Sequence, residues 1–190
     1  MRASNLKIIG YNFLVVGYNF PLITENPFKH LYCFCNFKVQ QLKKEDQMET
    51  QAIPNFKIVI LDDNDFYNKI LTRFLSESLK KTGLLKGFTV DIFSFTSVKD
   101  CLNNLDNSVD ILFTDYFLSD DCNATHIIDF INEKVLTCKV IVVSQIQNMK
   151  TCALTILAGA YEFIKKDKKT MFECNGIAEA IITEKLGVTN

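Results

Sequence analysis

From residue 56 onward the chain alternates between two hydrophobic patterns. Short apolar runs give way to stretches in which apolar residues recur every three or four positions, and the exchange repeats to the end of the chain. The runs are "KIVIL" (57–61), "FTVDIFSF" (88–95), "VDILFTD" (109–115), "KVIVVS" (139–144) and "YEFIKK" (161–166). Apolar runs of this length predict strands, and "KIVIL" reads as a buried one. Between them, Phe66, Ile70, Phe74, Leu75 and Leu79 predict a first helix, which Gly83 and Gly87 punctuate at its end. Ser97 is placed to cap a short second helix carrying Val98, Leu102 and Leu105. Ile127, Ile128 and Ile131 mark a third helix, and "CALTILAGA" (Cys152–Ala160) a fourth that stops near Gly159. Phe172, Ile177, Ile181 and Leu186 mark a last one over 171–186.

Repeated strand–helix alternation implies right-handed crossovers and a parallel sheet covered on both faces. The expected fold is therefore α/β: a doubly wound five-stranded parallel sheet with helices on both faces, over residues 53–188. Such sheets bind ligands beyond the carboxyl ends of their strands. That rule brings Asp62 and Asp63 (end of strand one), Asp115 (strand three), Ser144 (strand four) and Lys166 (strand five) to one edge.

Residues 1–52 follow a different pattern. "LKIIGYNFLVVGYNFPLI" is apolar and aromatic, but Asn12 and Asn19 interrupt it, and its unbroken runs are too short to span a membrane. A signal peptide would need a cleaner apolar core and a cleavage site. "GYNF…GYNF" occurs as a single pair, not a repeat architecture, and "QQLKKEDQMETQ" then turns polar, as in a linker or exposed helix. The segment reads as an added interaction region, a weak membrane-proximal anchor, or sequence upstream of a start at Met48; no independent function is expected of it.

Composition narrows the class. The 190 residues are 48% hydrophobic and 23% charged, enough to bury a core, and a net charge of −1 supplies no general attraction to nucleic acid or anionic lipid. The seven cysteines are odd in number and scattered, and several sit in apolar patterns, which points to reduced thiols and a cytoplasmic setting. "HLYCFC" (His30, Cys33, Cys35) lacks a second ligand pair for zinc. His30 and His126 read as structural or exposed.

Three carboxylates at one sheet edge repel one another unless a cation neutralises them. A magnesium ion suits such oxygen ligands, a nearby hydroxyl and lysine suit the oxygens of a phosphoryl group, and an aspartate can act as nucleophile to form an acyl phosphate.

"VILDDND", "ILFTDYFLSD", "VIVVS" and "AGAYEFIKKD" resemble the four signature segments of response-regulator receiver domains, over roughly residues 56–186. The resemblance implies the flavodoxin-like receiver fold. It makes Asp115 the phosphoacceptor and Asp62 and Asp63, with Asp115 and the carbonyl of Phe117, the magnesium ligands. Ser144 becomes the switch hydroxyl, Phe163 the switch aromatic and Lys166 the phosphate-contacting lysine. Ser144 lies 29 positions and Lys166 51 positions after Asp115, both usual for that family. The partners implied are a histidine kinase or histidine phosphotransfer protein as donor, a downstream protein target, and a phosphorylation-dependent second copy. Neither nucleic acid nor a membrane is an expected partner, and with the chain ending at Asn190 no output domain is expected.

The sequence also departs from the receiver pattern. Asp63 to Asp115 spans 52 positions, longer than is typical, and "KKTGLLKG" is the expected site of the extra residues, on a loop. Asp167 follows the lysine, Ser119 replaces a common proline, and Asn123 stands where a left-handed glycine is frequent. Gln145 follows the switch hydroxyl where a small residue is usual, and Phe117 and Ile146 are apolar where they would flank the phosphoryl group. Those two are expected to hinder water and prolong the acyl phosphate.

Two other readings compete. Asp63 and Asp65 have the separation found in haloacid-dehalogenase-like phosphatases, which would make the chain an enzyme. That resemblance lacks its later acidic pair and substrate cap. A receiver fold kept only for binding is the other.

Overall fold

Along Ile58–Leu61 alternate side chains enter opposite apolar layers: Ile58 and Ile60 one, Val59 and Leu61 the other, all fully buried. The computed structural model describes residues 52–119, 121–145 and 148–187. The readings placed on residues 1–51, including His30, Cys33 and Cys35, and on Ile146 lie outside these. Five strands, β1 (Asn55–Leu61), β2 (Thr89–Phe95), β3 (Val109–Asp115), β4 (Lys139–Ser144) and β5 (Glu162–Lys165), pair throughout in parallel in the order β2-β1-β3-β4-β5. They alternate with α1 (Asp65–Lys86), α2 (Val98–Asn104), α3 (Ala124–Glu133), α4 (Met149–Ala158) and α5 (Thr170–Lys185).

Helices cover both faces, as the alternation predicts. One layer joins Ile58, Ile60, Ile111 and Phe113 to Leu71, Leu75 and Leu79 of α1 and to Cys174, Ala178, Ile181 and Ile182 of α5. The other joins Val59, Leu61, Leu112 and Val142 to Cys101 of α2 and to Ala124, Ile127, Ile128 and Ile131 of α3. Each fully buried aliphatic side chain contributes about 1.5–3 kcal/mol relative to an exposed one. Ser97 caps α2 by accepting from the Asp100 amide, and α4 ends at Gly159 in the left-handed region (φ 119°).

The long span between Asp63 and Asp115 is taken up differently from the expected loop. "KKTGLLKG" is helical up to Lys86, so α1 runs for 22 residues and stops only at left-handed Gly87 (φ 75°). Gly83 therefore lies inside the helix rather than at its end. A Cβ there would sit 2.5 Å from the Phe88 carbonyl oxygen, so glycine lets Phe88 tuck under the last turn while its amide bonds the Gly83 carbonyl.

Three of the apolar side chains whose spacing marks these helices point outward: Phe66 is 73% and Phe172 71% exposed, and Ile70 is also exposed. On α1 the buried stripe is Asn68, Leu71, Leu75 and Leu79, displaced by about half a turn from Phe66 and Ile70. Asn123 is extended (φ −138°) rather than left-handed; Asp121 (φ 54°) takes the positive-φ position instead. Asn123 caps α3, its side chain accepting from the Thr125 and His126 amides while its own amide donates to His126 Nδ1. His126 thus has the structural role expected of it. Cys101, Cys138, Cys152 and Cys174 are free thiols, and no described helix is long and apolar enough to cross a membrane.

Candidate functional site

The strand order reverses at β1, whose neighbours are β2 on one side and β3 on the other. In a doubly wound sheet such a reversal opens a crevice at the carboxyl edge. Leu61 pairs with Thr114, so Asp62 stands beside Asp115 as the two strands end. Asp115 lies opposite Val143, Ser144 lies opposite Lys165, and the Lys166 amide donates to the Ser144 carbonyl at 2.7 Å. Lys166 itself is one residue past the end of β5.

The ends of these strands are fixed by polar contacts. Asn68 is buried one turn into α1, and its side-chain amide donates to the carbonyls of Phe95 (2.7 Å) and Asp62 (3.2 Å). The Asp62 amide donates to the same Phe95 carbonyl. Asn64 caps α1 and gives its own amide to Asp62 Oδ1 at 3.0 Å. Asp62 is therefore held through its own amide, its carbonyl and its side chain.

At the centre is an ammonium group. Lys166 Nζ donates to Asp62 Oδ2 at 2.6 Å and to Asp115 Oδ2 at 2.9 Å, and its side chain is only 6% exposed. Asp115 Oδ1 accepts from the Tyr116 amide at 2.7 Å. Burial raises the Asp115 carboxyl above the ordinary carboxylate range; Lys166 opposes this shift and the neighbouring Asp62 charge adds to it. Asp63 is exposed, yet each of Asp62, Asp63 and Asp115 offers an oxygen within 4.8 Å of the others. An oxygen-only set of three carboxylates fits a hard divalent cation such as magnesium.

The remaining expected residues surround this cluster. Ser144 is buried at the end of β4. Phe163 is half-buried and lines a groove of about 450 Å³ with Asn148, Met149, Cys152, Ala153 and Lys165. Phe117 lies in the loop after β3, 54% exposed, with its ring edge-to-face on Tyr116. That loop is tied back by the Leu118 amide on the Cys122 carbonyl and the Ala124 amide on the Tyr116 carbonyl. Gln145 is an exposed bend.

Two residues escaped the sequence reading. Asn68 carried a usable signal, since it is a polar residue in register with Leu71 and Leu75, directly after the acidic pair. Tyr67, whose ring centroid lies 4.3 Å from Lys166 Nζ, carried none, because its partner is 99 positions away.

No family model matches the chain, and no curated protein matches it. Solved structures do. The response regulator DrrB from Thermotoga maritima aligns at 19% identity and TM-score 0.53, over 68% of this chain; the chain spans about half (54%) of DrrB. The BeF3-activated receiver domain of DrrB aligns at 17% and TM-score 0.52, over 67% of this chain and 97% of that one. The signal receiver domain of NarL from Mycobacterium tuberculosis aligns at 17% and 0.55, over 68% and 98%. With the five-stranded order and its crevice, these alignments establish that the described part of this chain has the fold of response-regulator receiver domains.

Proposed function

We propose that this chain is a phosphorelay module that accepts a phosphoryl group on Asp115 from a histidine kinase or a histidine phosphotransfer protein. The observation that carries the reading is the buried Lys166 ammonium bridging Asp62 and Asp115, with Asp63 within reach of both. In the transfer, an Asp115 carboxylate oxygen attacks the phosphorus of a phosphohistidine. The P–O bond forms, the P–N bond breaks with its electron pair left on the imidazole nitrogen, and an acyl phosphate results. A magnesium ion held by Asp62, Asp63, Asp115 and the Phe117 carbonyl would screen the repulsion between the carboxylate and the incoming phosphate.

Lys166 and the Ser144 hydroxyl supply donors for the phosphoryl oxygens. Drawing Ser144 toward the new charge shifts a pre-existing equilibrium that Phe163 follows, because Phe163 already lines the groove beside α4. The surface so altered is the face of α4, β5 and α5, where Met149 and Leu157 are exposed. Output is contact with a downstream protein or a second copy of the chain. Phe117 and Ile146 slow attack by water on the acyl phosphate.

The phosphatase reading loses ground on one residue. Asp65, its second aspartate, is in the first turn of α1 and pairs with Lys69 at 2.6 Å on the exposed helix face, apart from the acidic cluster.

Beryllofluoride mimics a phosphoryl group on a carboxylate and tests the acceptor without a donor protein. With beryllium, fluoride and magnesium, bound fluorine-19 resonances are expected for the native chain and none for Asp115→Asn. Equal binding by Asp115→Asn would refute Asp115 as acceptor. Binding by neither chain would favour a receiver fold used only for docking.

A further inference from the structure

We infer that Tyr67 is a positioning residue for Lys166, its aromatic face forming the third wall of the site that holds the ammonium group. The inference rests on the reading of Asp115 as phosphoacceptor. An ammonium group has three N–H directions. Two meet Asp62 at 2.6 Å and Asp115 at 2.9 Å, and the Tyr67 ring centroid lies 4.3 Å from the same nitrogen, within the range of a cation–π contact. With the side chain only 6% exposed, water has little access to what these walls leave open.

The hydroxyl of Tyr67 does not explain why a tyrosine stands here. It is buried with the Thr170 hydroxyl close by, and no described residue meets it in good hydrogen-bond geometry. The Thr170 hydroxyl beside it is turned toward the carbonyls of Lys165 (2.9 Å) and Asp167 (2.8 Å) and accepts from the Asp167 amide at 2.6 Å. What the residue presents to Lys166 is its ring, whose centroid lies 4.3 Å from the ammonium nitrogen. Tyr67 is placed by the same turn of α1 that fixes Asp62, since its amide donates to the Asn64 cap.

The need for a third wall follows from the chemistry. Once Asp115 becomes an acyl phosphate, its carboxylate no longer holds the lysine, and the N–H that met it must turn to a phosphoryl oxygen. Asp62 alone, at one corner, would let the ammonium swing. A neutral face that attracts the cation without competing for the phosphoryl group keeps Lys166 aimed at Asp115 through the change.

The test compares Tyr67→Phe, which keeps the ring, with Tyr67→Leu, which removes it. Under acetyl phosphate and magnesium, Tyr67→Phe is expected to take up phosphate within about twofold of the native rate. Tyr67→Leu is expected to be slower by about five- to thirtyfold. In parallel, the Lys166 Hε resonances, shifted upfield by the ring in the native chain and Tyr67→Phe, should return to ordinary positions in Tyr67→Leu. Should Tyr67→Leu fail to fold, Tyr67→Met carries the same comparison. A native rate in Tyr67→Leu, or an equal loss in Tyr67→Phe, would overturn the proposal. If even the native chain takes up no phosphate, the phosphoacceptor reading fails, while unshifted native Lys166 resonances would sink, and shifted ones support, the Tyr67 contact.

Discussion

Lys166→Met is expected to destabilise the metal-free protein by about 3–5 kcal/mol at pH 8, lowering the melting temperature by roughly 10 °C. The side chains of Lys166, Asp62 and Asp115 are 6%, 4% and 16% exposed, so solvent screens the pairs little. Methionine keeps the volume but leaves two carboxylates facing each other with no counter-charge, and the cost of breaking a buried pair lies mainly in the charge left behind. The effect should depend on pH in a definite direction. Asp115 already has its carboxyl raised by burial, and removing the lysine that opposes the shift raises it further. A carboxyl raised above its unfolded value favours the fold most below the unfolded value, and that contribution is lost as pH rises through the folded one. The deficit of Lys166→Met should thus be largest at pH 8 and shrink as the solution is acidified toward pH 5. Denaturant melts in a chelator at the two pH values measure it. A pH-independent loss, or none, would mean that the triad of charges does not set the stability of this edge.

The second large effect concerns the cation. At a magnesium concentration of one hundred times its dissociation constant, the native chain should gain about 2.7 kcal/mol. Asp63→Asn should abolish most of that gain while leaving metal-free stability within about 0.5 kcal/mol, because Asp63 is exposed and outside the Lys166 pairs. The contrast isolates metal binding from folding: Lys166 acts on the metal-free protein, Asp63 on the loaded one. Equal magnesium stabilisation of native and Asp63→Asn chains would remove Asp63 from the ligand set.

Much of the fold could be read from the sequence because parallel strands buried on both faces leave apolar runs that no loop resembles, as at Ile58–Leu61 and Val140–Val143. Strand order turned a list of terminal residues into one edge, and Asp62, Asp115, Ser144 and Lys166 do end there. Helix faces were less legible. On α1, Phe66 and Ile70 form an apolar stripe on the face opposite Leu71, Leu75 and Leu79, and spacing alone does not say which stripe meets the sheet. The buried one includes Asn68, whose amide has two backbone carbonyls to satisfy. Gly83 looked like a stop signal, yet its lack of a side chain serves a close approach by Phe88 that only the tertiary structure creates. Asn123 tolerates a left-handed turn but serves as a helix cap, a role that asparagine fills equally well. The contact between Tyr67 and Lys166 joins α1 to the end of β5, and no local pattern reports a pairing of that kind.

Phosphate acceptance by Asp115 is measured by intact mass after incubation with acetyl phosphate and magnesium, alongside Asp115→Asn and a magnesium-free control. A gain of one phosphoryl group is expected in the native chain alone, lost on treatment with hydroxylamine as an acyl phosphate should be. A folded native chain whose mass does not change, or an Asp115→Asn chain that gains the same mass, would contradict it.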